Sequence, residues 1–332
     1  MTLTRRLLAP ALALLGAAAP LAVQAQEAAW PSRPIEFLAG FPNGSGVDIY
    51  QRRLAGPLSR ALGQPVVVNN RTGAGGNIAS DVVAKARPDG YLILLATAGT
   101  HAINQTLYRR LPFNVLNDFT PIAHLGDVPN IMITSIERRP NYRTCQDVLA
   151  DARARPGALN YPSTGNGAST HLAGALFATR AGIDAVHVPF PGQPGAVTSL
   201  LGGQTDFFFN QVGPAMGMIQ QGAVRGLAVT TRARIAALPD VPTVSEACGL
   251  PDFESTTWYG VFGPPGMPEA ITRRLNEEIL KIIEEPEFRR WLVETQGIDP
   301  PTVRTPAEFR AVQERDVARW AQVVRDARAT VD

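Results

Sequence analysis

The sequence predicts an α/β protein of two lobes, the first built around a parallel sheet. Short apolar runs, glycine-rich loops and helical patterns follow one another with short connections, which is typical of parallel α/β layers. The same order starts again near Pro121, which indicates a second lobe. After Pro264 the pattern changes to three helical segments, which we expect to pack back onto the first lobe.

The amino terminus predicts export. Arg5 and Arg6 precede the apolar run LLAPALALLGAAAPLAV, and the small residue Ala25 follows it. These features are typical of a secretory signal peptide, so we expect residues 1–25 to be removed. Pro and Gly interrupt the run, which disfavours a membrane anchor. The arginine pair leaves both the Sec and the twin-arginine export routes open.

Charge and cysteine content narrow the possible partners. The chain has 31 basic and 29 acidic residues, and because Arg5 and Arg6 belong to the leader, the mature chain carries 29 of each sign. A neutral chain without a basic, aromatic cluster argues against nucleic-acid binding. In an exported protein Cys145 and Cys248 are able to form a disulfide, and the sequence leaves open whether they do.

The first lobe alternates strands and helices. Apolar runs predict strands at Ile35–Ala39, Val66–Val68 and Tyr91–Ala96, and a helical pattern at Val47–Ala61 ends at Gly63. Loops at the carboxyl ends of parallel strands meet at one edge of the sheet. The three glycine-rich loops of this lobe are therefore expected to share a crevice.

The rest of the chain gives the second lobe and the tail. The predicted strands are Ile122–Leu125, Ile131–Thr134, Leu159–Tyr161, Val186–Pro189, Asp206–Phe209, Gly226–Val229 and Trp258–Phe262. The tail helices are predicted at Pro268–Glu284, Pro286–Gln296 and Pro306–Ala327. This order predicts a first lobe of residues 26–125 plus 230–332 and a second lobe of residues 126–229. Two lobes joined by crossing strands, behind an export signal, are typical of a periplasmic binding protein that closes by hinge motion.

Two loops carry the candidate binding groups. In Phe41–Asp48, glycines let the main chain approach a guest just before a helix begins. In STGNGAST, residues 163–170, the hydroxyls of Ser163, Ser169 and Thr170 precede another helix. The free N–H groups of that helix, with these hydroxyls, predict a carboxylate site without arginine. The alternative for each loop is an ordinary turn or helix cap.

Patterns for other functions are weaker. The loop Arg71–Asn77 resembles a dinucleotide fingerprint, but Ile78 stands where a third small residue belongs. The chain has no GxSxG, HExxH or CxxC sequence. An exported hydrolase that uses Ser163 or Ser169 with His101 is the remaining enzymatic alternative. We therefore expect no catalytic residue, no metal and no cofactor.

A series of segments, in this order, carries a resemblance to a known family: WPSRPIEFLAGFPNGSGVD, GQPVVVNNRTGAGGNIASDVVAKARPDGYLILLATAGTHAIN, LPFNVLNDFTPIAHLG, YPSTGNGASTHLAGALF, HVPFPGQPGAVTSLLGGQTDFFF, LAVTT and WYGVFGPPGMP with RLNEEI. They resemble the Bug-type extracytoplasmic solute receptors, the substrate-binding components of tripartite tricarboxylate transporters. The resemblance covers essentially the whole mature chain.

The resemblance implies a monomeric, two-lobed type II periplasmic binding protein with a Venus-flytrap cleft. It would capture a small organic carboxylate and deliver it to the membrane permease subunits of the transporter. Presentation of the ligand to a periplasmic signalling receptor is the alternative role. The ligand-binding residues expected from these motifs are Phe41, Asn43, Gly44, Ser45, Gly46, Asp48, Thr100, His101, Ser163, Asn166, Gly167, Ala168, Ser169, Thr170 and Asn210.

The chain departs from the family pattern in three places. Asn43 and Ser45 replace a proline and a glycine of the first loop, and Asn210 stands where many members carry aspartate. The run FPGQPG at residues 190–195 replaces a position often held by tyrosine and lysine-like residues. Loss of the acid disfavours an ammonium group, so we expect a ligand other than a standard amino acid.

Overall fold

The computed structural model describes residues 30–326 and Val331. The predicted signal peptide, residues 1–25, lies outside the described residues. Within the described ranges, none of the helices has the length and hydropathy that a bilayer crossing requires.

The described residues form nine strands and eleven helices. The strands are β1 (Ile35–Ala39), β2 (Val66–Asn70), β3 (Leu92–Thr97), β4 (Thr120–Ser135), β5 (Leu159–Ser163), β6 (Ala185–Pro189), β7 (Phe208–Gln211), β8 (Val224–Val229) and β9 (Thr256–Gly263). The helices are α1 (Gly46–Leu62), α2 (Asn77–Ala84), α3 (Asn104–Leu107), α4 (Cys145–Ala154), α5 (Ser169–Ala181), α6 (Gln193–Leu201), α7 (Val212–Gln220), α8 (Val244–Cys248), α9 (Glu269–Glu284), α10 (Pro286–Arg290) and α11 (Pro306–Asp326). Single turns of tighter or wider helix cover Ala74–Gly76, Gly99–Ile103 and Trp291–Gln296.

The first half of the chain builds a parallel sheet. β1 lies between β2 and β3 and pairs in parallel with both. Apolar residues of β1 and β3 pack against α1 and α9, with Tyr50, Leu54 and Ile279 fully buried. This arrangement sets the carboxyl ends of the three strands, and the glycine-rich loops that follow them, at one edge of the sheet.

Two long strands connect the two halves of the molecule. β4 has 16 residues; it pairs with β9 over its first part and with β7 and β8 over its second. The prediction of two separate strands, at Ile122–Leu125 and Ile131–Thr134, was therefore wrong. Irregular register near Gly126 absorbs the break, and because Gly126 has a φ of +115°, the strand continues where another residue would be strained.

The second half adds a smaller sheet. β5 and β6 pair in parallel, and the N–H of Asp206 donates to the carbonyl of Asn160, 3.0 Å away, which joins β5 to the approach of β7. Cys145 on α4 and Cys248 on α8 form a disulfide. The structure thus decides the pairing that the sequence left open.

The apolar cores also divide between the two halves. Val244, Cys248 and Phe253 pack in one core with Met132 and Phe209. The lobe boundaries drawn from the sequence stay a prediction. The packing of α8 with these residues favours a second crossing at β9 rather than at residue 230.

Candidate functional site

The glycine-rich loops of the first half touch one another and the second half. A Cβ added to Gly76 would lie 2.6 Å from Thr100 Cγ2 and 3.3 Å from Phe41 Cε2. A Cβ added to Gly75 would lie 3.3 Å from the carbonyl oxygen of Asn166, in the loop STGNGAST. The loops therefore meet along a line where the two halves face each other.

A small cavity lies on this line. Its volume is about 30 Å³, room for one or two water molecules by this measure. Among the described residues, its lining contains hydroxyl, amide and apolar side chains but no charged one. The lining residues are Phe41, Pro42, Ser45, Val47, Thr97, Thr164, Ala168, Ser169, Gly192, Gln193, Gln211 and Thr257.

Four of the lining residues are the N-caps of helices. Ser45 precedes α1, Ala168 precedes α5, Gly192 precedes α6 and Gln211 precedes α7. In α5, α6 and α7 the cap side chain makes no hydrogen bond to the first turn. The first N–H groups of a helix lack partners within the helix and carry its positive dipole end. Four such ends converge on one cavity.

The first loop is held from behind by Asp48. Its carboxylate accepts hydrogen bonds from the N–H of Gly44 and from Arg52 Nε, both at 2.9 Å, and its side chain is buried. Ser45 lines the cavity, and its Oγ accepts a hydrogen bond from the N–H of Asp48 at 3.2 Å. Asp48 therefore shapes the loop, while Ser45 keeps its hydroxyl proton for a guest.

The loop STGNGAST forms the opposite wall. The N–H of Thr164 donates to Thr170 Oγ1 at 3.0 Å, so the buried Thr170 stabilises the loop from inside. Ser169 lines the cavity, and its Oγ donates to Asn130 Oδ1 at 3.5 Å, near the limit for a hydrogen bond. Ser169 is thus able to change partners when a ligand enters.

In the third loop, the structure places the candidate residue His101 away from the cavity. Thr97 lines the cavity and exchanges hydrogen bonds with the buried Thr100. His101 is fully buried, with its ring centroid 4.3 Å from that of Phe119 and 4.4 Å from that of Phe262. Burial lowers the pKa of His101 to about 3, with a smaller effect of Arg310. The expected ligand contact of His101 is not supported, because the wide turn Gly99–Ile103 directs its ring into the core.

The two halves are closed onto each other. Tyr259 donates to Gln211 Oε1 at 2.8 Å. Gly46 lies against this pair, because an added Cβ would overlap Gln211 Oε1 and lie 2.7 Å from Tyr259 Oη. Likewise a Cβ on Gly192 would overlap Pro42 of the first loop. A guest larger than water therefore needs the halves to separate before it enters.

Three buried polar atoms at or near the cavity lack partners among the described residues. They are Thr257 Oγ1 on β9, Asn130 Nδ2 on β4 and Asn210 Nδ2 on β7. Thr257 lines the cavity directly, and Asn130 touches it through Ser169. Buried polar groups are nearly always paired, so such atoms mark places where a guest or water makes the bond.

Only part of the candidate set lines the cavity. Phe41, Ser45, Ala168 and Ser169 do so, whereas the other candidates are not among its lining residues. Asn43 and Gly44 are exposed on the outer side of the first loop. The lining residues that sequence reasoning missed are Pro42, Val47, Thr97, Thr164, Gly192, Gln193, Gln211 and Thr257.

A sequence signal existed for part of that set. Gly192 stands before Gln193 and Pro194, and Pro early in a helix indicates a helix start. Gln211 is the last residue of β7, after an apolar run, and precedes another helix. Thr257 had no comparable signal, because only the pairing of β9 with β4 brings it to the cavity.

The hydrolase pairing is not formed. Ser163 Oγ bonds to His187 Nε2 and to the main chain of Gly165, and Ser169 Oγ bonds to Asn130, so neither serine pairs with His101. Within the part of the chain that the structure describes, no three His, Cys, Asp or Glu side chains are grouped as a metal site would need.

Comparison with known proteins identifies relatives over almost the whole chain. Residues 50–328 match the family described as "Tripartite tricarboxylate transporter family receptor". Protein BugT of Bordetella pertussis is 34% identical over 319 residues, which cover 95% of this chain and 94% of BugT.

Solved structures of similar proteins share the fold. Rpa4515 of R. palustris, solved with adipate, superposes with a TM-score of 0.86 and 31% identity over 91% of this chain and 100% of that one. MatC of Rhodopseudomonas palustris, solved with bound malate, gives a TM-score of 0.82 and 29% identity over 89% of this chain and 100% of that one. The predicted two-lobed binding-protein fold is thereby confirmed. This chain belongs to the tripartite tricarboxylate transporter family receptors, the Bug-type solute receptors that the motif order indicated.

Proposed function

We propose that this receptor captures a small carboxylate in the periplasm and delivers it to the permease subunits of a tripartite transporter. The observation that carries the proposal is the convergence of four helix N-caps, Ser45, Ala168, Gly192 and Gln211, on one cavity. Each helix start contributes roughly half a positive charge through its free N–H groups.

The chemistry of the lining supports an anion. Hydroxyls of Ser45 and Ser169 and the amides of Gln193 and Gln211 surround the helix starts. With no charged side chain in the described lining, the main-chain dipoles set the sign of the electrostatic potential. The same absence leaves an ammonium group without a carboxylate partner, which supports a ligand other than an amino acid.

Closure supports a receptor that encloses its ligand. Loops of both halves line the cavity, and Gln211 of the second half bonds to Tyr259 on the connecting strand β9. A ligand that bridges the two sets of helix starts would favour this closed form over an open one. We propose export by the leader 1–25, action as a monomer, and neither catalysis nor a bound cofactor.

The relatives suggest the first compounds to test. Related structures hold adipate and malate. A thermal-shift screen should include these two dicarboxylates, shorter and aromatic monocarboxylates, and matched amides that lack the charge. We expect a carboxylate, but not its amide, to raise the melting temperature. Failure of every carboxylate to do so would contradict the proposal.

A charge placed at the proposed anion site tests the mechanism. Ser169 is the first residue of α5, where aspartate is compatible with a helix. In Ser169→Asp the new carboxylate would occupy the positive helix end and repel the ligand. We expect affinity, measured by calorimetry, to fall about 100-fold or more, which corresponds to roughly 3 kcal/mol.

The control variant is Ser169→Asn, because asparagine has nearly the same size as aspartate but carries no charge. It should bind the same carboxylate within about tenfold of the wild type, because only one hydrogen bond is altered. Both variants should melt close to the wild type without ligand. Equal affinity of the aspartate and asparagine variants would remove the start of α5 from the site.

A further inference from the structure

Two histidines stack on each other behind the loop STGNGAST. His171 on α5 and His187 on β6 have ring centroids 3.9 Å apart and ring planes inclined by 16°. Tyr161 also stacks on His187, with centroids 5.3 Å apart. Both imidazoles are partly buried and lie outside the lining of the cavity in the described residues.

Each imidazole holds a different end of the loop. His187 Nε2 and the hydroxyl of Ser163 share a hydrogen bond of 2.6 Å, and the N–H of Gly165 donates to the same hydroxyl oxygen at 3.2 Å. The N–H of Gly167 donates to His171 Nδ1 at 3.2 Å. His171 Nδ1 must therefore be unprotonated, because only a bare ring nitrogen accepts a hydrogen bond.

The held segment is also one of the parts of the second half that touch the first half. Gly167 has a φ of +78°, and an added Cβ would lie 2.8 Å from Asn104 Oδ1. A Cβ on Gly99 would lie 3.3 Å from the carbonyl oxygen of Gly167. A small change in the course of this loop would spoil both the contact between the halves and the position of the neighbouring cap residue, Ala168.

We propose that His171 and His187 are a pair of positioning residues for the binding site. As neutral, stacked rings they hold STGNGAST in the shape that presents the start of α5 to a ligand and fits the loop against the first half. Ser163, which the sequence suggested as a ligand contact, is the residue through which His187 holds the loop. The predicted effect of the histidines on ligand affinity rests on the proposed function. Their predicted effect on the shape of the loop does not.

Isosteric variants separate this role from ordinary packing. The amide oxygen of asparagine reaches the place of Nδ1, and the amide of glutamine reaches the place of Nε2. His171→Asn should therefore preserve the acceptor for Gly167, whereas His171→Gln should lose it. For His187 the order is reversed, so glutamine preserves the bond to Ser163 and asparagine loses it. Within each pair both variants lose the stacked ring, so stacking alone predicts no difference.

The first readout needs no ligand. Amide hydrogen exchange of Gly167 should be close to the wild type in His171→Asn and faster by about tenfold in His171→Gln, as expected when one hydrogen bond is lost. Gly165 should behave in the same way in His187→Gln and His187→Asn. Equal exchange within both pairs would overturn the proposal.

The second readout is the affinity for adipate by calorimetry. We expect His171→Asn and His187→Gln to bind within about threefold of the wild type, and the swapped variants to bind about tenfold more weakly. Equal affinities within both pairs would contradict a role in binding. If the wild type binds neither adipate nor any other carboxylate of the panel, the proposed function fails, and the exchange readout alone decides whether the histidine pair holds the loop.

Discussion

The residues at the cavity fall into two classes. Those of the first class have groups that can bond to a ligand, and those of the second hold such groups in position. Asp48 belongs to the second class, because both carboxylate oxygens are used by Gly44 and Arg52. Ser169 belongs to the first class, since the only hydrogen bond that its hydroxyl makes to the described residues is long. A charged residue can thus be essential to an anion site without touching the anion.

The stacked histidines predict a dependence of stability on pH. Burial lowers the pKa of His171 to about 4; burial and the neighbouring His171 lower that of His187 to about 3. In the unfolded chain both titrate near pH 6.5. Between these values the unfolded chain binds more protons, so stability falls as the pH falls from about 6.5 towards 4.

His187→Gln isolates this contribution, because it removes one titrating ring. Tyr161 is the other titratable group stacked on His187, and it stays neutral throughout this range because burial raises its pKa. In urea unfolding at pH 7, 5.5 and 4.5, the wild type should lose more stability on acidification than His187→Gln. Parallel losses in the two proteins would argue against the lowered pKa.

For single residues, motif matching identified the loops at the cavity better than the side chains that line it. It selected the segments around Ser45 and Ser169, which line the cavity, because glycines and hydroxyls before a helix are visible in the sequence. It could not tell that His101 turns into the core beside Phe119 and Phe262, since ring direction depends on tertiary packing. Burial and hydrogen-bond partners decide such cases, and neither is encoded locally.

Among the elements, helix starts and the long β4 strand determine the site. The sequence predicted most strands and helices to within a few residues, because periodic apolar patterns persist over whole elements. It divided β4 at Gly126 and Pro129, two residues that usually interrupt strands. Pairing with β9 on one side and with β7 and β8 on the other overrides that local preference.

The disulfide between α4 and α8 gives a prediction at the scale of elements. It closes a segment of 103 residues, and cross-links over such lengths typically stabilise a protein by about 2–5 kcal/mol. The variant Cys145→Ala with Cys248→Ala should therefore unfold at lower denaturant concentration, and the second half should unfold first.

Hydrogen exchange during mild denaturation would report that order. Wild-type protein treated with a reductant serves as the matched control and should shift in the same direction. A double variant that unfolds at the same denaturant concentration as the oxidised wild type would show that the cross-link adds no stability.

For the whole molecule, the closed form depends on close contact at Gly46. Gly46→Ala would place a methyl group against Gln211 and Tyr259, and so hold the halves apart. We expect the variant to bind a carboxylate about tenfold or more weakly than the wild type. Its radius of gyration should stay the same with and without ligand, and should be larger than that of the liganded wild type. Small-angle scattering with and without ligand measures the second effect.

Gly217→Ala is the control for this substitution. Gly217 is an exposed residue of α7, and an added Cβ there meets no atom within 4 Å. It should bind and scatter like the wild type. If Gly46→Ala also closes on the ligand as the wild type does, the contact at Gly46 does not limit closure.

The converging helix starts have a consequence for how such receptors diversify. N–H groups of the main chain persist through almost any substitution, so the means of attracting an anion is inherited together with the fold. Side chains such as Gln193, Gln211 and Thr257 are then free to vary. A few substitutions among these side chains can therefore change which anion a receptor prefers, while its general affinity for negative charge is kept.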